Sequence, residues 1–90
     1  MKLSPQAKTK LFNMCEGNPR VAKALIRYVE EREAPGDFLE CLLSNDLFLT
    51  ISKHDGLTSI KGIIRWLYNN TPGNCWGSRE NYRGWISANK

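Results

Sequence analysis

The chain has a single histidine, three widely separated cysteines and no apolar run approaching the ~20 residues that a membrane span requires. Each shortage removes a class of function. Cys15, Cys41 and Cys75 include no Cys-x-x-Cys pair, and His54 alone cannot complete a metal set, so no zinc site is expected. Phosphate-binding fingerprints are missing too, because Gly73-Asn74-Cys75-Trp76-Gly77-Ser78 lacks the lysine and preceding strand of a Walker loop. Ser78 follows Gly77 without the Gly-x-Ser-x-Gly pattern of a nucleophile elbow. Neither a catalytic constellation nor a cofactor is therefore expected. Met1-Lys2-Leu3-Ser4-Pro5-Gln6 contains no apolar stretch of signal-peptide length, which makes the expected location cytoplasmic, with no membrane partner.

What the chain does have is a dense C-terminal mixture of rings and guanidinium groups. Five of its nine aromatic residues lie beyond Arg65: Trp66, Tyr68, Trp76, Tyr82 and Trp85, interleaved with Arg79 and Arg83. Indole and phenol faces stack on bases or on partner side chains, and arginine offers a fork of donors to phosphate or carboxylate. A fold of 90 residues needs only some of these rings for its core, so the remainder are expected to form a recognition surface.

Capping signals and apolar periodicity divide the chain into five or six short helices of one all-α domain spanning residues 1–90. Ser4-Pro5 starts a helix that Gly17 stops, predicted over Pro5 to Glu16, and residues 1–17 could form an accessory N-terminal segment. Asn18-Pro19 starts the next, with Val21, Ala22, Leu25, Ile26 and Val29 on its buried stripe and Pro35-Gly36 as its end. Asp37 is expected to cap a short helix, interrupted near Ser44-Asn45-Asp46. Asp46 caps a further turn or two through Phe48, Leu49 and Ile51, up to Asp55-Gly56. By composition Leu47-Phe48-Leu49-Thr50-Ile51 could be a strand, but no second strand exists to pair with it. From Thr58 to Asn70 the residues Ile60, Ile63, Ile64 and Leu67 line one face of a central helix. Ser78 caps the last helix, which Tyr82, Trp85 and Ile86 dock.

Charge is uneven along the chain. Residues 1–34 carry seven basic and four acidic side chains, residues 35–55 one and four, and residues 56–90 five and one. An acidic middle between basic ends biases partner choice or self-association, and short amphipathic helices that leave an apolar strip uncovered point to a homo-oligomer. Arg20, Lys23 and Arg27 recur as a basic ridge at i, i+3, i+7, which supports a nucleic-acid-binding regulator as the alternative function. Glu30, Glu31 and Glu33 then follow on the same helix and would repel phosphates, and the net charge of +4 is small for a dedicated duplex binder.

Arg27-Tyr28-Val29-Glu30, Pro35-Gly36-Asp37-Phe38-Leu39, Leu42-Leu43-Ser44-Asn45-Asp46-Leu47, Trp66-Leu67-Tyr68-Asn69, Cys75-Trp76-Gly77-Ser78 and Trp85 occur in that order. In these pieces the chain resembles a family of small bacteriophage and prophage proteins of unassigned function, over roughly Arg27 to Ile86. The resemblance implies a viral accessory protein made in the host bacterial cytoplasm and acting stoichiometrically. The expected function is counter-defence, through sequestration or inhibition of a host defence protein or a nucleotide-type signal. The expected contact residues are Arg27, Tyr28, Arg65, Tyr68, Asn69, Trp76, Ser78 and Arg79.

Overall fold

Four of the helix starts are set by side chains that satisfy the orphan amides of a first turn. In the computed structural model, which describes residues 1–54, 56 and 58–88, Ser4 Oγ accepts from the Ala7 amide (3.1 Å) and opens α1, Pro5–Met14. Asp46 accepts from Leu49 (3.2 Å) ahead of α4, Leu47–Ser52. Ser59 accepts from Gly62 (2.9 Å) ahead of α5, Ile60–Asn70, and Ser78 accepts from Asn81 (3.0 Å) ahead of α6, Arg79–Ser87. The remaining helices are α2, Pro19–Glu31, and α3, Asp37–Leu43, with a single 3-10 turn at Gly73–Cys75. Leu47 to Ile51 is helical, and there is no strand among the described residues, so the all-α expectation holds.

Several boundaries differ from the sequence expectation for identifiable reasons. The first helix stops at Met14, two residues early, with Cys15 as its C-cap. Asp37 is the first residue of α3 instead of its cap, because Gly36, at φ 98°, occupies the cap position. α5 begins after Ser59, and Thr58 is buried ahead of it. The end of α2 is the largest departure. It comes at Glu31, well before Pro35-Gly36, because Arg32 turns left-handed at φ 60°. That conformation is costly for a residue with a Cβ. Tertiary contacts hold it: the Arg32 guanidinium lies 3.7 Å from the centroid of the Trp85 ring and its Nη1 donates to the Trp85 carbonyl at 3.1 Å. The Asp55-Gly56 turn falls partly outside the described residues.

α1 is part of the main core. Leu3, Ala7, Leu11 and Cys15 are buried with Leu25, Val29, Ile63 and Leu67 in one continuous cluster, and α1 packs on both α2 and α5. The Trp66 indole donates to the Ala7 carbonyl (2.8 Å), and the Leu3 amide donates to the Glu30 carboxylate (2.9 Å). Close approach of α1 also uses Gly62, where a Cβ would lie 2.6 Å from Met14 Sδ. These contacts roll α5 about its axis. Ile63, Trp66 and Leu67 point inward while Ile64, expected inside, stands 44% exposed.

Candidate functional site

The eight expected contact residues do not come together. Tyr28 has no exposed surface: its ring stacks on Tyr82 (centroids 5.6 Å apart), tilts against Trp85 and donates its hydroxyl to the Cys75 carbonyl. Burial pushes the Tyr28 phenol well above its ordinary range, so it is a neutral framework donor. Ser78 is occupied as the α6 cap. Both were expected to face a partner, and both instead hold the C-terminal segment in place. Trp66, Tyr82 and Trp85 are buried as well, and the Trp85 indole donates to the Tyr28 carbonyl at 2.8 Å. Most of the aromatic cluster is thus internal, and Tyr28, Trp66 and Trp85 each direct a polar tip to a backbone carbonyl.

The other six lie on separate surfaces. Arg27 is on the outer face of α2. Arg65 and Asn69 border a groove of about 500 Å³ between α1 and α5, shared with Lys10, Met14 and Trp66. Arg79 borders a shallow depression of about 230 Å³ with Asp37, Glu40, Leu49 and Lys53. Tyr68 is 76% exposed and meets half-buried Trp76 edge-on at 6.4 Å. The Trp76 loop is pinned from within: Gly77 donates to the Leu43 carbonyl (2.9 Å) and Asn81 Nδ2 to the Trp76 carbonyl (2.9 Å).

A groove that combines charge with an apolar floor lies between α2 and the start of α3. It measures about 480 Å³ and is open along its length. Arg20, Lys23 and Arg27 border it, Val21, Ala24, Phe38 and Leu39 line it, and Pro35 and Gly36 close one end. The spacing of the three cations puts them on one flank of α2. Two carboxylates temper the charge there. Asp37 is at the groove and pairs with Lys53 (3.6 Å), and Arg27 pairs with Glu33 at 3.6 Å, with both partners more than half exposed. Such exposed pairs exchange readily for a better partner.

A second surface matches the expectation of an uncovered apolar strip, whose place in the fold was not foreseen. Around α4, Leu47, Phe48, Leu49 and Ile51 are all exposed, Phe48 to 87%, and Ile64 and Tyr68 of α5 are exposed as well. The six-residue helix turns Thr50 inward, where its hydroxyl donates to the Asp46 carbonyl (2.6 Å), and leaves its large apolar side chains outside. The apolar run was visible in the sequence; which side of it faces the core was not.

Nucleophilic chemistry is poorly served. Cys75 is fully buried, and burial raises its thiol pKa, which disfavours the thiolate. The His54 ring stacks on Phe38 (5.5 Å), with Nε2 against the Thr58 carbonyl, so its Nε2 is oriented by the backbone. No group of three metal-ligating side chains forms among the described residues, and none of the described helices is long and apolar enough to cross a membrane. Comparison of the chain with protein families, with curated proteins and with solved structures finds no match.

Proposed function

We propose that this chain is a phage-type accessory protein that works by stoichiometric binding, and that the α2–α3 groove takes an acidic, amphipathic segment of a host protein. The observation that carries this reading is the pairing of three cations with an apolar floor in one open channel. An amphipathic acidic helix or extended strand offers both halves of that chemistry, carboxylates for the ridge and apolar side chains for Val21, Ala24 and Phe38. A nucleotide-type signal fits less well. Phe38 is the groove's one bordering ring and offers a base a single face; Tyr28 is buried, and Tyr68 and Trp76 do not border the groove. The resemblance to small phage and prophage proteins supplies the setting, a bacterial cytoplasm, and with it the counter-defence role.

The basic ridge also supports the alternative of a nucleic-acid-binding regulator, and one experiment separates the two. Fluorescence anisotropy would compare a labelled amphipathic peptide of leucine and glutamate, poly-glutamate, a cyclic dinucleotide, and single- and double-stranded oligonucleotides. The proposal expects the amphipathic peptide to bind tightest and the Arg20→Glu/Lys23→Glu/Arg27→Glu variant to lose at least tenfold in affinity while keeping its helical circular dichroism. Tighter binding of an oligonucleotide, falling about one log unit per log unit of salt for each phosphate contact, would replace it with the nucleic-acid reading. Equal binding of poly-glutamate and the amphipathic peptide would remove the role of the apolar floor.

A further inference from the structure

We infer that the α4–α5 face closes a two-fold dimer of this chain, in which Phe48 of each copy enters a socket on the other. The face carries both halves of such a contact. Phe48 projects almost wholly into solvent. On a neighbouring flank of α4 a dimple of about 50 Å³ opens at the junction of α3, α4 and α5, walled by Leu42, Leu47, Ile60 and Ile64 with Asn45, Asp46 and Thr50. A protruding ring and a socket on one surface patch are what an isologous interface requires, since residue i then meets j while j meets i. A dimple of that size has room for the edge of a ring and no more.

Size and charge point the same way. Leu47, Phe48, Ile51, Ile64 and Tyr68 are each 44–87% exposed, and five side chains of that size can supply much of the ~800 Å² that one side of a standard interface buries. Helical geometry sets Lys61 next to Ile64 and Tyr68 on the α5 flank, while Asp46 stands at the α4 end, bordering the same dimple. A two-fold axis between the helices brings the cationic flank of one copy to the acidic end of the other. The residues involved are distinct from those of the α2–α3 groove, so the dimer would present two grooves at once. The inference stands or falls independently of what those grooves bind.

Sedimentation velocity across a concentration series tests it with three proteins. Wild type is expected to be dimeric at roughly 100 μM, a modest affinity. Phe48→Asp should raise the dimer dissociation constant at least 100-fold while preserving the fold, because the side chain is exposed and an acidic residue suits the first turn of a helix. Ile64→Lys spoils the socket and should also be monomeric. Mixed in equal amounts, these two variants should form a heterodimer, since one knob–socket contact is intact and the other sets the introduced carboxylate against the introduced ammonium across the interface. Should Ile64→Lys fail to fold, the Phe48→Asp result decides alone. A wild type that stays monomeric, a Phe48→Asp protein that still dimerises, a folded pair of variants that does not recombine, or open-ended assembly would each overturn the inference.

Discussion

The C-terminal segment and α4 are both rich in large apolar side chains, yet one is folded inward and the other lies bare. Trp66, Tyr82 and Trp85 are almost fully buried; Leu47, Phe48 and Ile51 are mostly exposed. Hydrophobicity does not separate them, since α4 is the more apolar stretch. The difference is anchorage. Trp66 and Trp85 carry an N–H that reaches a carbonyl on a distant helix, and Tyr28 reaches back to Cys75, so the aromatic residues cross-tie α1, α2, α5 and α6. α4 has six residues and one inward position, held by Thr50, and no bond of comparable reach among the described residues. For the proposed binding role this inverts the usual expectation. The polar-tipped rings serve as struts, and plain aliphatic and phenyl groups form the surface left for partners.

The sharpest way to break that comparison is to truncate one ring from each region. Trp85→Ala removes a buried indole, its bond to Tyr28 and the platform under Arg32, and should cost about 3–5 kcal/mol. For a domain whose whole stability is of order 5–15 kcal/mol, that removes a large share of it. Phe48→Ala should change monomer stability by less than ~0.5 kcal/mol. Urea denaturation at low protein concentration, followed by circular dichroism, measures both. Equal costs would mean that α4 belongs to the core after all.

Tyr28→Phe comes next. It keeps the ring, its stack on Tyr82 and its burial, and deletes only the hydroxyl that meets the Cys75 carbonyl. The carbonyl loses that buried donor, so the expected cost is about 1–3 kcal/mol. With that tie gone, the 3-10 turn at Gly73–Cys75 should open more often, and the buried Cys75 thiol should react faster with a maleimide under native conditions. A loss of stability with no gain in thiol labelling would show that the bond stabilises the fold without restraining the turn.

A smaller and pH-dependent effect is expected at Glu30. Sequence pattern grouped it with Glu31 and Glu33 as charge that repels phosphates, but its carboxylate accepts the Leu3 amide at 2.9 Å and pairs with Lys8 at 3.1 Å, tying the N-terminal segment to α2. The Leu3 hydrogen bond first, then Lys8, holds its pKa below the ordinary carboxylate value. A depressed folded pKa means that the stabilisation is complete above the unfolded value of about 4.3 and is lost as pH falls through the folded one. Glu30→Gln keeps an oxygen for the Leu3 amide but removes the charge from that bond and the pair with partly exposed Lys8, and should cost about 0.5–1.5 kcal/mol at pH 7. The gap between wild type and variant should narrow as the pH falls below the unfolded value and the carboxylate takes up its proton. A gap that persisted unchanged in acid would assign the effect to shape instead of charge.

How much of this was legible in the sequence depended on distance along the chain. The caps at Ser4, Asp46 and Ser78 could be read locally, because cap and amide are three residues apart. The end of α2 could not, since Arg32 is held by Trp85, 53 residues away. The rotation of α5 was hidden for the same reason. Ile60, Ile63, Ile64 and Leu67 form a sound apolar stripe, yet the observed inward face is turned by about 60° toward Trp66. The Ala7 carbonyl and the gap at Gly62 decide that turn, and both depend on where α1 lies. In the candidate sites, the basic ridge of α2 was visible as a period of charges, whereas its apolar floor needs Phe38 and Leu39 from α3. Ile64, displaced outward by the rotation, becomes part of the socket at the junction of α3, α4 and α5.

Trp76 offers the finest test of anchorage as the deciding property, because it is the one indole of the three whose N–H is buried with no hydrogen-bond partner among the described residues. Trp66→Phe and Trp85→Phe each delete a bond to a carbonyl and should cost about 1–3 kcal/mol. Trp76→Phe deletes an unpaired donor and keeps an aromatic face for its edge contact with Tyr68. The loss of ring area then opposes the relief of an unsatisfied group, and the net change should fall within about 0.5 kcal/mol of zero. Thermal melts resolve that contrast, since 1 kcal/mol moves the midpoint of a domain this size by about 4–8 °C. If all three substitutions lowered the midpoint equally, ring size alone would account for burial, and the bonds at Ala7 and Tyr28 would be its consequence instead of its cause.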